Sequence, residues 1–345
     1  MAMKFAARTT ELIDSPIGAA FAMLDHRVND RPLLDLSQAA PGYSPAPIVI
    51  DRIVEAARES DTSRYPPAAG LVELRQEFAT DLRRSYAASD ITSADVTITA
   101  GCNQAFCATV NALAGPGDSI ILATPFYFNH EMWLQAEGIE VRYLGHTTDL
   151  YPDLEEAATL IDDTTRAIML VSPGNPTGVT LPVEVIADFV ELAARRNIAL
   201  ILDETYRTFR PTEAPAHDGF DNPDWRTTLI TLHSFSKDLA IPGYRVGAIV
   251  SGADHQREAL KILDCVAIGA PRIGQEAAIT GLRHARGWRR DQAQRIARLQ
   301  DHFVATMASA PGGFELVTSG AYFGWVRSND QRSTDETVRR LIVEL

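Results

Sequence analysis

Three nearly uninterrupted apolar runs limit what this chain can fold into: AIMLVS (167–172), IALILD (198–203) and TTLITL (227–232). A strand with one solvated face alternates apolar and polar side chains. Runs without that alternation read as strands buried on both faces, which need helices above and below them and parallel pairing. The chain supplies those helices between β-like segments: CNQAFCATVNALA, FYFNHEMWLQAEG, DLEEAATLI and PVEVIADFVELAARRN. Four more short strands are expected at VTITAG, SIILATP, EVRYLG and RVGAIV. The fold class is therefore α/β. A large domain over 46–255 holds a mainly parallel seven-stranded sheet sandwiched by helices.

The flanks differ in character. After 255, long charged helical segments take over (REALKILDCV and the stretch 281–309), followed by a β-like SGAYFGWVR and a final helix, DETVRRLIVEL. With residues 1–45 these predict a smaller α+β domain over 256–345. Ser15 and Pro16 read as a helix start. The apolar face that follows (Ile17, Phe21, Leu24, Val28) suits either an arm onto a partner or a helix packed on its own subunit. Residues 31–47 are Pro-rich and read as a connector; helices are expected over 48–59 and 71–86.

A chain of 345 residues with a formal net charge of -13 has room for two cores. Its acidic surface repels nucleic acid and acidic membranes, so neither is an expected partner. Glu11 and Asp14 interrupt the N-terminal segment, which predicts neither a signal peptide nor a membrane span. Cys102, Cys107 and Cys265 show no CxxC spacing, so disulfides are not expected and a cytoplasmic location fits. The eight histidines show no paired ligand spacing, and no metal site is expected. His130 and His233 read as hydrogen-bonded structural residues.

The chemistry is sought where strands end, because ligands of α/β sheets collect at the carboxyl ends. SFSKDLAIPGYRVG (234–247) follows TTLITL directly. Lys237 stands where a buried strand emerges, a place suited to an amine that must lose its proton and react covalently. Arg245, eight residues on, can serve the same site. A lysine for a Schiff base and an arginine for a phosphate is the pairing that pyridoxal phosphate needs; an ordinary surface lysine is the plain alternative. After VTIT, the stretch AGCNQAF offers Gly101 and small residues at a helix start, where N–H groups approach an anion, or a plain strand-to-helix turn. Tyr127 after SIILATPF could cover a flat ring or fill core. Asn175 in PGNPTG supplies a fixed amide, unless the loop is kept for its backbone alone. Asp203 ends an all-apolar strand, where a buried carboxylate needs a cation such as a protonated pyridine nitrogen, or caps the next helix.

YPPAAGLVELR, ITAGCNQA, TPFY, SPGNPTGV, LDETY and SFSKDLAIPGYRVG occur in one order and spacing. On these, the chain resembles the fold-type I pyridoxal-phosphate enzymes, specifically the class I/II aminotransferases of the aspartate aminotransferase type, over about residues 35–330. The resemblance implies an aldimine at Lys237, which then shuttles the proton between the substrate's Cα and the cofactor. It implies Asp203 on the pyridine nitrogen, and Tyr206 and Asn175 on the phenolic oxygen. Tyr127 would stack on the ring. Gly101, Cys102 and Asn103 would hold the phosphate through N–H groups, together with Ser234 and Arg245. Tyr65 would reach the phosphate of the neighbouring subunit in a homodimer.

Two departures concern the substrate. Ala39 stands where the family has a glycine near the substrate carboxylate. The family's carboxylate-binding arginine lies late in the small domain, in a part that should begin about where this sequence stops at Leu345, so either the small domain is incomplete at its C-terminus or the carboxylate is bound differently; Arg327 is not its match, and Arg272 is a substrate candidate that also reads as a solvated arginine. The expected activity is a ping-pong transfer of an amino group from an amino acid to a 2-oxo acid. The same scaffold with the same lysine also supports C–S β-elimination, synthase chemistry, decarboxylation or racemisation, and a non-catalytic cofactor-binding domain is a further alternative.

Overall fold

The computed structural model describes residues 3–86, 90–211, 215–310 and 312–345. A single turn α1 (Ala7–Thr10) precedes α2 (Pro16–Met23), whose start is capped by Ser15 Oγ accepting from Gly18 N. Two helices follow, α3 (Pro47–Ala56) and α4 (Val72–Tyr86). The chain then alternates through β1 (Val96–Thr99), α5 (Cys102–Leu113), β2 (Ser119–Ala123), α6 (Phe128–Ala136) and β3 (Glu140–Leu144). It continues through α7 (Leu154–Leu160), β4 (Thr165–Val171), α8 (Val183–Arg196), β5 (Ala199–Asp203) and β6 (Leu229–Ser234). A four-residue helix α9 (Phe235–Asp238) leads to β7 (Gly247–Val250). Next come α10 (Ala253–Ala267), α11 (Arg272–His284), α12 (Arg286–Ser309), a hairpin of β8 (Phe314–Gly320) and β9 (Phe323–Ser328), and α13 (Thr334–Val343).

The seven strands lie in the order β1-β7-β6-β5-β4-β2-β3. The run from β3 to β6 is parallel, and β7 pairs antiparallel with both β6 and β1. The mainly parallel seven-stranded sheet expected from the apolar runs is therefore present. Alternate residues of one strand feed opposite layers, as the period of two requires. Ile168, Leu170, Leu200 and Leu202 join the core under α3, α4, α8 and α11, whereas Ala167, Met169, Ala199 and Ile201 join the core that holds α5 and α10.

Two elements differ from the sequence reading. The stretch 281–309 is not one helix: Ala285 leaves helical geometry, ends α11 and precedes α12. The β-like stretch SGAYFGWVR begins at the end of a strand that the sequence reading did not include, β8, which pairs antiparallel with β9. The limit drawn at 255 falls inside α10, which lies against α5, and α11 lies against α3 and α4. The arm helix α2 buries no residue completely; it meets α13, and Val28 N donates to Val343 O at 3.0 Å. Among the described residues no helix is long and apolar enough to cross a membrane.

Candidate active site

Parallel pairing brings the carboxyl ends of β4, β5 and β6 side by side, with Val171 and Leu232 in register on either side of Asp203. Asp203 is buried. Its carboxylate accepts from Thr205 N at 2.8 Å, and the Thr205 and Cys102 side chains favour its charged form. His130 Nε2 stands 3.7 Å away, its ring held between Phe106 and Tyr127 at 4.3 and 5.3 Å. Burial pushes His130 down to about 3, so it is neutral at ordinary pH. Burial also raises the Asp203 pKa, and the hydrogen bonds offset this only in part. Among the described residues, Asp203 thus faces no cation. A buried carboxylate in that state is unfavourable until something positive meets it. His130, read from sequence as structural, thus stands beside Asp203, a neighbour 73 positions away (203 − 130) that no local pattern reveals.

Lys237 follows the next strand. Ser234 Oγ accepts from Ser236 N at 3.2 Å and so caps the short helix that carries the lysine. The Lys237 amine donates to the carbonyl of Ala39. The residue that departs from the family's glycine is thus the one whose carbonyl meets the amine. Burial, and then the charge of Arg245, push Lys237 down to about 8. Both effects disfavour the ammonium form.

The anion side lies at the start of α5. Gly101 has φ +87°, and a Cβ there would sit 2.2 Å from Arg245 Nη2, so only glycine lets the guanidinium close over the turn. Arg245 donates to Pro242 O at 3.0 Å and, at the edge of hydrogen-bond reach, to Ser236 Oγ and Ala100 O. The expected Gly101 N–H donor is taken: it donates to Thr99 O at 2.9 Å. Gly101 contributes open space, and the donors left at this helix start are the amides of the first turn, Cys102 and Asn103. Cys102 is buried and Asn103 exposed.

The other expected residues fall as follows. The Tyr127 hydroxyl accepts from the Asn129 side-chain amide at 2.9 Å. Tyr206 is buried, with Phe323 and Tyr322 at 5.0 and 6.0 Å between ring centroids. Asn175 is half-buried on the loop after β4, and its amide has no hydrogen-bond partner among the described residues. Tyr65 is 79% exposed. Arg272 pairs with Glu276 at 3.7 Å and Arg327 with Glu315 at 3.5 Å.

Two further features were not read from sequence. The hydroxyls of Tyr43 and Tyr322 meet at 2.6 Å, beside Tyr206 and Ala39. Behind the lysine, Arg289 is buried between Asp238 and Asp81.

A desolvated amine, an unmatched buried carboxylate and an anion cradle thus converge at neighbouring strand ends. The family description "Aminotransferase class I and II" matches residues 31–345. The Arabidopsis thaliana aromatic aminotransferase ISS1 is 28% identical over 97% of this chain and 84% of its own length. The Pseudomonas aeruginosa arginine–pyruvate transaminase AruH is 30% identical over 84% of this chain and 74% of its own. The solved aspartate aminotransferase of Thermus thermophilus with maleate superposes with a TM-score of 0.84 at 23% identity, covering 93% of this chain and 84% of that one. With the family match running through both the sheet and the hairpin, this chain belongs to the class I and II aminotransferases.

Proposed function

We propose that this aminotransferase uses pyridoxal 5'-phosphate to move an amino group from an amino acid to a 2-oxo acid by a ping-pong mechanism. One observation carries the reading: a buried amine with a lowered pKa and a buried carboxylate without a cation stand at adjacent strand ends. The cofactor, when bound, supplies an electron sink for the bond broken at the amino acid's Cα and a carrier for the amino group. Asp203 fits its protonated ring nitrogen, a cation that removes the penalty of the buried carboxylate. Tyr206 and Asn175 would face the phenolic oxygen, and the Tyr127 ring would cover one face. The Cys102 and Asn103 amides, the Ser234 hydroxyl and Arg245 would hold the phosphate over the space left by Gly101. Lys237 Nζ would anchor the cofactor, and its freed amine would carry the proton from the substrate's Cα to the cofactor, the reverse transfer serving the second half-reaction. A pKa of about 8 leaves an appreciable neutral fraction at neutral pH.

The exposure of Tyr65 supports a homodimer in which it reaches the neighbouring subunit's phosphate. Residues 46–255 would carry the cofactor, with 1–45 and 256–345 covering the substrate. Three unpaired cysteines, Cys102, Cys107 and Cys265, suit a cytoplasmic enzyme. The names of the relatives span aromatic amino acids, arginine and aspartate, so they support the substrate class and no single donor.

The test is a panel of amino acids given to the cofactor-loaded protein with pyruvate or 2-oxoglutarate as acceptor. A new 2-oxo acid and a new amino acid should form together. Borohydride reduction and peptide mass analysis should place a phosphopyridoxyl group on Lys237, and Lys237→Ala should lower turnover by about 10³-fold or more. Ammonia release without an acceptor, or labelling at another lysine, would overturn the reading.

A further inference from the structure

A second buried group of charges lies directly behind the lysine. Arg289, in the first turn of α12, is 8% exposed. Its Nε and Nη2 donate to the two Asp238 oxygens at 2.9 and 2.6 Å. Its Nη1 and Nη2 donate to the two Asp81 oxygens at 2.9 and 3.3 Å. Arg207 closes the group from the other side, 2.5 Å from Asp81. Two aspartates and two arginines sum to zero charge. The bonds join α4, the turn after β5, α9 and the root of α12. Asp238 is the residue next to Lys237.

The same α12 covers the site. Trp288 packs edge-on against Tyr43 at 5.8 Å, and Ile296 packs with Tyr206. Asp238 acts electrostatically on the Tyr43 and Tyr322 hydroxyls. Those tyrosines share a cluster with Ala39, whose carbonyl receives the Lys237 amine. The charge on Asp238 is therefore felt by the two hydroxyls packed in the same cluster as Ala39.

We propose that Arg289 is a positioning residue for Lys237: by pairing with Asp238 it cancels the negative charge beside the lysine and fixes the turn from which the amine projects. Without Arg289 the group carries a net charge of one minus, which favours an ammonium over the free amine. Without the Asp238 charge it carries one plus, which favours the free amine. The opposite signs separate this role from simple support of the fold. Besides Arg245, which faces Lys237 directly, the charged and titratable groups around Asp238 and Arg289 are Asp81, Arg207, Tyr43 and Tyr322. The inference rests on the proposed function only in taking Lys237 as the working amine.

The experiment titrates that amine in the cofactor-free full chain, by competitive acylation across pH with peptide mass analysis of Lys237. It reads the charge effect even if the lysine carried no cofactor. In Arg289→Gln the neutral fraction at pH 7 should fall about tenfold. In Asp238→Asn it should rise, and in the double variant it should return towards the parent. Arg289→Lys should keep most of the parent value. Shifts of the same sign in Arg289→Gln and Asp238→Asn, or no shift in either, would overturn the proposal. If Arg289→Gln does not fold, Asp238→Asn and Arg289→Lys still decide it, because a purely structural role gives neither an upward shift in the first nor rescue in the second.

Discussion

Asp238 and Lys237 are neighbours in sequence, yet the buried charges around them obey opposite rules. The Asp81–Arg207–Asp238–Arg289 group is closed: each charge meets an opposite one at hydrogen-bond distance. Burial alone would raise the Asp81 pKa, but Arg289 and Arg207 outweigh it and hold the carboxyl well below its ordinary range. Burial alone would likewise lower the Arg289 pKa, and Asp238 and Asp81 reverse that. The Asp203–Lys237 side is open. There burial wins, and both groups are pushed towards their neutral forms. A chain can afford a buried ionised group when it supplies the counter-charge itself. Where the counter-charge is missing, the ring cation of the proposed cofactor would supply it. The difference between the two regions identifies the site better than burial or charge does separately.

The largest effect expected comes from breaking the closed group. Arg289→Met leaves Asp238 without its counter-ion and Asp81 with Arg207 alone. Removing one partner of a buried pair destabilises by about 3–5 kcal/mol. Urea unfolding of the cofactor-free chain at pH 7 measures this. The pH sign also follows. The Asp81 pKa is lowered on folding, so its stabilising contribution is present above the unfolded value of 3.8 and is lost as pH falls below it. A variant as stable as the parent would show that the closed group is not what holds α12 to the sheet.

The open region should respond in the reverse way. Asp203→Asn should lower kcat/KM by about 10²-fold, or ~2.7 kcal/mol of transition-state stabilisation, because an amide cannot neutralise a ring cation. The same change should raise the melting temperature of the cofactor-free chain. Folding raises the Asp203 pKa, so its contribution to stability is greatest below the unfolded value of 3.8 and declines as pH rises through the folded value. The gain from Asp203→Asn is thus absent in strong acid and grows with pH. Melting curves from pH 4 to pH 8 check the sign; a destabilised variant at pH 8 would place Asp203 with the closed group.

Sequence legibility divides along the same line. The sheet is legible because AIMLVS, IALILD and TTLITL are local signals, and they became β4, β5 and β6 with the carboxyl ends where the reading put them. Lys237, Asp203 and Gly101 can be singled out in the sequence because each stands at or just past the carboxyl end of a strand, β6, β5 and β1 respectively. What joins them is not. Arg289 and Asp81 are 208 positions apart, and Tyr43 and Tyr322 are 279 apart. Pairings of that kind leave no periodicity, so a buried arginine in RGWRRDQ reads like its solvated neighbours. The break at Ala285 was missed for a related reason: alanine is a strong helix former, and nothing in its own chemistry ends a helix. The taken N–H of Gly101 is likewise a matter of turn geometry, which a glycine in a sequence does not specify.

The smallest effect expected lies where the two regions touch. The Tyr43–Tyr322 hydroxyl pair joins the arm to the hairpin and stands between Asp238 and Tyr206. Burial raises the Tyr322 pKa, as does its bond with Tyr43, so both hydroxyls stay protonated at any working pH. Tyr322→Phe removes one neutral hydrogen bond and leaves the Tyr43 hydroxyl part-buried without its partner. A loss of about 1 kcal/mol in unfolding free energy follows. If the pair serves the open side, the same variant should raise KM for the amino acid while lowering the unfolding free energy equally at pH 4 and pH 7. If it belongs to the closed group, KM should hold and the loss should change with pH as that of Arg289→Met does. Measuring both on one variant assigns the arm–hairpin contact to one region or the other, because only the closed group links stability to the titration of Asp81.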